Sequence, residues 1–163
     1  MKKLNILCVD DQREVLAAIK KDLEIFTPAF TINDCESAAE AEEILNELNQ
    51  DDEEIALIIC DHIMPGENGI DFLTRVNTDP RFLYTKKFIL TGLANHNDTI
   101  QAINDAEINA YLEKPWSQEE FVTIVKKLLT RYVVESDNEY SELLPYLDEV
   151  TLQRELKRRK QEG

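Results

Sequence analysis

Short apolar runs alternate with amphipathic stretches along most of this 163-residue chain, and that alternation restricts the possible folds more than any other feature. Residues 6–9 are apolar and end in acids, which suits a buried strand. Residues 14–26 place Val15, Ala18, Ile19, Leu23 and Phe26 at helical spacing, with Pro28 just beyond. Residues 30–35 alternate like a strand. Ser37 reads as an N-cap, and Glu40 three residues later completes a capping box for a helix to about residue 48. A polar, acidic loop over 49–54 leads to Ile-Ala-Leu-Ile-Ile-Cys at 55–60, a continuous apolar run suited to a strand covered on both faces.

The second half repeats the pattern. A loop with Pro65, Gly66 and Gly69 precedes a helix at 70–76. A strand at 88–90 is followed by a helix at 97–105, and a strand at 110–112 by a Ser117-capped helix from about 119 to 132. Five strand–helix pairs with right-handed crossovers predict a doubly wound, five-stranded parallel sheet with helices on both faces. Such sheets bind ligands beyond the carboxyl ends of their strands, at the switch in strand order.

Composition narrows the function classes. An apolar share of 43% supplies an ordinary core. No apolar run approaches the roughly 20 residues needed to span a bilayer. The basic start turns acidic at Asp10, so a first strand explains it better than a signal peptide. Cys8, Cys35 and Cys60 lie in apolar surroundings without framework spacing, which predicts buried thiols in a reducing cytoplasm. Five basic and two acidic residues from Thr151 onward make a local +3, leaving −18 for residues 1–150 out of −15 in total. A body that acidic repels nucleic-acid phosphates.

The residues with chemistry fall at the predicted strand ends. Asp10 and Asp11 follow the first strand, Asp61 ends the third, Thr91-Gly92 the fourth, and Lys114-Pro115 lies past the fifth. Three carboxylates packed together raise one another's pKa unless a cation sits between them. Mg²⁺ takes oxygen ligands of this kind and keeps several waters. A carboxylate beside it suits nucleophilic attack on phosphorus, with Lys114 and Thr91 stabilising the transferring oxygens. Each element alone is common turn or cap chemistry; their order on one sheet edge is what is specific.

In this order, Val9-Asp10-Asp11, Asp61-His62-Ile63-Met64-Pro65-Gly66-Glu67-Asn68-Gly69, Leu90-Thr91-Gly92 and Tyr111-Leu112-Glu113-Lys114-Pro115-Trp116 resemble the receiver domain of two-component response regulators, the CheY-like family. The resemblance covers roughly residues 4–131. It implies a flavodoxin-like strand order 2-1-3-4-5 and division into a receiver, 1–131, and a helical extension or linker, 132–163. It implies Asp61 as phosphoacceptor, Asp11 as direct metal ligand, Asp10 as a ligand through water, and the Ile63 backbone carbonyl as a further ligand for Mg²⁺. Thr91 corresponds to the switch hydroxyl and Tyr111 to the aromatic whose rotamer follows it. Pro115 corresponds to the proline of a cis peptide that aims Lys114 at the site.

The implied function is phosphoryl transfer from a histidine kinase or phosphotransfer protein to Asp61, in a cytoplasmic protein that catalyses only its own phosphorylation and dephosphorylation. It switches a surface around residues 95–132 that binds an output domain, an effector or a second copy, without direct nucleic-acid or membrane contact. Ile63 and Leu93, which flank the path of hydrolytic water in this family, are apolar and predict slow dephosphorylation. Two other classes compete. A pseudo-receiver scaffold usually lacks an acid, the lysine or the acceptor, all present here. A metal-dependent phosphohydrolase has a second acid where this chain has Ile63. His62 reads as packing on its loop. Residues 141–160 read as one helix with Pro145 in its first turn and Leu143, Leu147, Val150 and Leu156 as its stripe. Three roles stay open for it: docking or dimerisation, a linker, or packing on the receiver.

Overall fold

The computed structural model describes residues 2–162. Strands β1 (Leu4–Val9), β2 (Phe30–Cys35), β3 (Glu54–Asp61), β4 (Lys86–Thr91) and β5 (Ala110–Glu113) form one sheet. Their order is β2-β1-β3-β4-β5, parallel throughout. Helices α1 (Arg13–Asp22), α2 (Ala38–Gln50), α3 (Gly69–Asn77) and α4 (Asn97–Asp105) make the four crossovers; α5 (Gln118–Glu135) follows β5, and α6 (Glu149–Glu162) comes after it.

Side-chain alternation along the central strands divides the core in two. Ile6, Cys8, Leu57, Ile59, Phe88 and Leu90 meet α1 and α5 on one face. Leu7, Val9, Ile58, Cys60 and Ile89 meet α2, α3 and α4 on the other. This two-sided burial explains why residues 55–60 are apolar without alternation. The three thiols are free and buried. Burial pushes Cys8 and Cys60 far above the ordinary thiol range and Cys35 up to about 12.

The caps follow the sequence with one departure. Ser37, Asn68 and Ser117 each accept from the backbone N–H three residues on. Glu40, however, reaches back to the N–H of Glu36 at 3.0 Å, not to that of Ser37, so the predicted capping box is displaced by one residue. The helix expected over 14–26 also stops early. It ends at Asp22, and Glu24–Phe26 tighten into a 3₁₀ turn that keeps Phe26 in the core while the chain bends towards β2.

The tail is two pieces rather than one helix. Ser141–Tyr146 forms a 3₁₀ turn containing Pro145, and α6 starts afresh after Asp148. Asp148 Oδ2 accepts from the Thr151 N–H at 3.0 Å and from its hydroxyl at 2.6 Å, a cap the sequence reading missed. This cap sets the phase of α6: Leu152 and Glu155 turn inward, whereas Val150 is 66% exposed. Of the predicted stripe, Leu143 and Leu147 are buried, and both join the core on the α1–α5 face. Helix α6 packs on α5, with Thr130 Oγ1 accepting from the Asp148 N–H at 2.9 Å and Arg159 donating to the Val134 carbonyl. Asp148→Ala is expected to cost about 1 kcal/mol and to raise protease cleavage around residues 147–150; unchanged urea unfolding and proteolysis would count against this role.

Two lysines open β4 almost without exposure. Lys86 pairs with Glu135 at 2.7 Å, and Lys87 donates to Asn77 Oδ1 at 2.8 Å. Burial, with Lys86 beside it, pushes Lys87 from 10.5 down to about 8. Between those values the unfolded chain holds more protons than the folded one, so Lys87 makes stability rise with pH through that window. Lys87→Met is expected to stabilise the protein by about 1–2 kcal/mol at pH 7 and to flatten the rise, as urea unfolding at pH 7 and pH 9 would register. Among the described residues no helix is long and apolar enough to cross a membrane.

Candidate functional site

Register brings the acids together. Val9 pairs with Cys60 across β1–β3, so the next residues, Asp10 and Asp61, emerge side by side at adjacent strand ends. Asp61 is in turn level with Leu90 of β4, and the Lys114 N–H bonds the Thr91 carbonyl at 2.9 Å beyond β5. The carboxylate oxygens of Asp10, Asp11 and Asp61 lie within 4.8 Å of one another, with Asp10 wholly buried and Asp11 exposed.

Lys114 spans this group. Its Nζ donates to Asp61 Oδ1 at 2.7 Å and to Asp10 Oδ2 at 3.1 Å. The other Asp10 oxygen accepts from the Gln12 N–H at 2.9 Å, in the turn that leads into α1. Burial raises the pKa of Asp61; its bond to Lys114 pulls the other way, and the charges of Asp10 and Asp11 add to the rise. Burial opposes the charge on Lys114, but its bonds to Asp61 and Asp10 outweigh it, and the lysine pKa is raised. Three carboxylates thus face one ammonium. That surplus of negative charge and the all-oxygen donor set fit a small hard divalent cation.

Two glycine features hold the loop after β3. Gly66 takes φ +81°, a conformation that favours glycine. Gly69 begins α3 so close to β3 that a Cβ there would lie 2.0 Å from the Asp61 carbonyl oxygen. The Lys114–Pro115 peptide is cis, as the resemblance implied, and so is Thr27–Pro28. Trp116 donates to Asp22 Oδ2 at 2.9 Å and stacks on Phe121 at 5.7 Å between centroids, tying the segment after β5 to α1 and α5.

Thr91 is buried and Tyr111 is 38% exposed. The Thr91 hydroxyl accepts from the Leu93 N–H at 3.0 Å and lies 2.8 Å from His62 Nδ1. His62 therefore does more than pack on its loop. The register that sets residue 62 beside residue 91 was not legible in the sequence. Burial lowers the His62 pKa despite the nearby charge of Asp71. Ile63 follows and is 61% exposed. His96 stands at the N-cap of α4 without a side-chain capping bond.

A parallel α/β sheet with acids from two strand tips and a lysine bonded to both defines a doubly wound domain whose site lies at the carboxyl ends of its strands. The sequence matches the family profile of the response regulator receiver domain over residues 6–126. The chain belongs to that family, a signalling domain of two-component systems, and such domains generally bind Mg²⁺. It is 30% identical over 137 residues to the hydrogenase transcriptional regulatory protein HoxA of Bradyrhizobium diazoefficiens, covering 82% of this chain and 26% of that protein. It is 31% identical over 134 residues to response regulator Rre1 of Synechocystis, covering 82% of this chain and 55% of the relative. The chain thus spans between about a quarter and just over half the length of these relatives. The receiver domain of an HD domain-containing protein from Pseudomonas fluorescens superposes with a TM-score of 0.69 at 26% identity, covering 80% of this chain and 98% of that one. Chemotaxis regulator CheY4 of Vibrio cholerae, at 18% identity and TM-score 0.66 over 78% of this chain and 99% of its own, shares the fold.

Proposed function

We propose that this chain is a phosphoryl-accepting switch in which Asp61 is phosphorylated by a histidine kinase or phosphotransfer protein in a Mg²⁺-dependent reaction. The observation that carries the reading is Lys114 Nζ, held 2.7 Å from Asp61 and 3.1 Å from Asp10 inside the acidic cluster. With Oδ1 bonded to Lys114, Asp61 Oδ2 attacks phosphorus; the phosphorus–nitrogen bond to the donor imidazole breaks, and that nitrogen takes a proton. Lys114 neutralises charge on the transferring oxygens and orients the acceptor. Asp11, Asp61 and the Ile63 carbonyl would hold the ion directly, and Asp10, both of whose oxygens already bond protein groups, would hold it through water. Bound Mg²⁺ supplies positive charge against the phosphoryl oxygens.

Thr91 turns towards the phosphoryl group once it is attached, and Tyr111 moves inward behind it; the exposed Tyr111 ring fits the unphosphorylated state. The changed surface lies around residues 95–132 and serves an output domain, a downstream effector or a second copy of the chain. Residues 1–131 act as the receiver and 132–163 as its extension, in a cytoplasmic protein that makes no direct nucleic-acid contact. Helix α5 runs on to Glu135, and the extension packs against it.

Incubation with acetyl phosphate and Mg²⁺ tests the reading: the mass should rise by one phosphoryl group, and Asp61→Asn should abolish the gain. No modification of Asp61, and no binding of beryllium fluoride, would leave a scaffold instead. Ile63 and Leu93 have no polar side-chain atom to orient a hydrolytic water, so the phospho-form is expected to last minutes or longer. A half-life of seconds, measured by phosphate release, would overturn that expectation.

A further inference from the structure

We propose that His62 is a positioning residue: its imidazole holds the Thr91 hydroxyl in the resting arrangement, so the switch turns only by breaking that hydrogen bond. The inference rests on the phosphoryl-switch reading above and concerns what sets the threshold of the same site.

A threonine hydroxyl has one proton to donate and two lone pairs to accept with. The Leu93 N–H, 3.0 Å away, takes one lone pair. His62 Nδ1, at 2.8 Å, takes either the proton or the second lone pair, according to its tautomer. The first bond is local, made by a threonine to the backbone two residues ahead, and any threonine or serine in this turn can form it. The second joins two neighbouring strand ends and depends on the residue at position 62. Thr91 is 1% exposed, so water is a poor substitute partner in this position.

The imidazole is well placed to act as a latch because its own backbone is tied on both sides. The His62 N–H donates to the Leu90 carbonyl at 3.0 Å, extending the β3–β4 ladder beyond Asp61. The His62 carbonyl accepts from the Gly69 N–H at 2.8 Å, fixing it to the start of α3. The ring thus starts from a rigid point beside the acceptor aspartate and reaches across to the next strand. A hydroxyl turning towards a phosphoryl group on Asp61 gives up this contact, and the lost bond weights the equilibrium towards rest.

His62→Leu removes the hydrogen-bonding group and keeps apolar bulk. His62→Asn keeps it, because the asparagine amide offers a donor and an acceptor near the position of Nδ1 whichever tautomer the histidine adopts. The affinity for beryllium fluoride in excess Mg²⁺ is measured by calorimetric titration on the full chain. Leucine is expected to tighten binding about three- to tenfold, the change set by one net hydrogen bond, and asparagine to stay within about twofold of wild type. In a Thr91→Ala background His62→Leu should change nothing, since no hydroxyl remains to release. Thermal unfolding without beryllium fluoride confirms that each variant is folded, and His62→Ala replaces leucine should leucine misfold. Equal affinities for wild type and His62→Leu sink this inference, as does a leucine effect that persists without Thr91 or is shared by asparagine. Failure of the wild type to bind beryllium fluoride sinks the phosphoryl-switch reading itself, a separate outcome.

Discussion

Replacing Lys114 with methionine is expected to slow phosphoryl uptake by Asp61 about a hundredfold while tightening the hold on Mg²⁺. Both effects come from the same two contacts, at 2.7 Å to Asp61 and 3.1 Å to Asp10. Without the ammonium, the transferring oxygens lose a fixed positive charge, which lowers the rate. The three carboxylates also lose the cation that competes with the metal, which raises Mg²⁺ affinity by about tenfold or more for charges this close. Stability moves too. Asp10 is wholly buried, and the lysine is only partly exposed, so breaking the pair should cost about 1–3 kcal/mol in the absence of metal.

The sign of the accompanying pH effect follows from Asp61. Its folded pKa already lies above the ordinary carboxylate value through burial, with Lys114 restraining the rise. A carboxyl raised on folding costs stability as pH climbs from its unfolded pKa through its folded one. Lys114→Met should enlarge that cost and extend it to higher pH. Thermal unfolding with and without Mg²⁺, and acetyl-phosphate uptake followed by mass, check the two halves together. Wild-type uptake in the variant would show that Lys114 has no part in the transfer.

Alanine at Gly69 is expected to destabilise the protein by about 3 kcal/mol and to weaken Mg²⁺ binding with it. The new Cβ would lie 2.0 Å from the Asp61 carbonyl oxygen and 3.0 Å from both the Asp61 carbonyl carbon and Cys60 Sγ. The nearest of these atoms is backbone, which cannot swing aside as a side chain does. Either α3 lifts from the sheet, breaking the Gly69–His62 bond, or the end of β3 moves and takes the Asp61 carboxylate with it. Gly92→Ala is the matched control, since a Cβ there meets nothing within 4 Å. It should stay within about 0.5 kcal/mol of wild type. Equal urea midpoints for the two variants would mean that the close approach at Gly69 is easily relieved.

The elements of the sheet were legible because burial on both faces of β1, β3 and β4 imposes the apolar runs at 6–9, 55–60 and 88–90, and because Ser37 and Ser117 advertise helix starts. The tail was less legible. Apolar spacing alone joined Ser141 to Lys160 in one helix, whereas a second cap at Asp148 restarts it and rotates Val150 outward. Pro145 permits either arrangement in sequence terms; the bond between Thr130 and the Asp148 N–H, made across the α5–α6 contact, favours the observed one.

The sequence by itself determined the alternating architecture, the family and the residues gathered at the strand ends, since hydrophobic period and residue type are local properties. Only the tertiary structure decided which side chains touch. The bridging of Asp10 and Asp61 by Lys114, the close approach of Gly69 to Asp61 and the hydrogen bond between His62 and Thr91 all depend on strand register. Register is set by packing across the whole sheet, so no short stretch of chain encodes it.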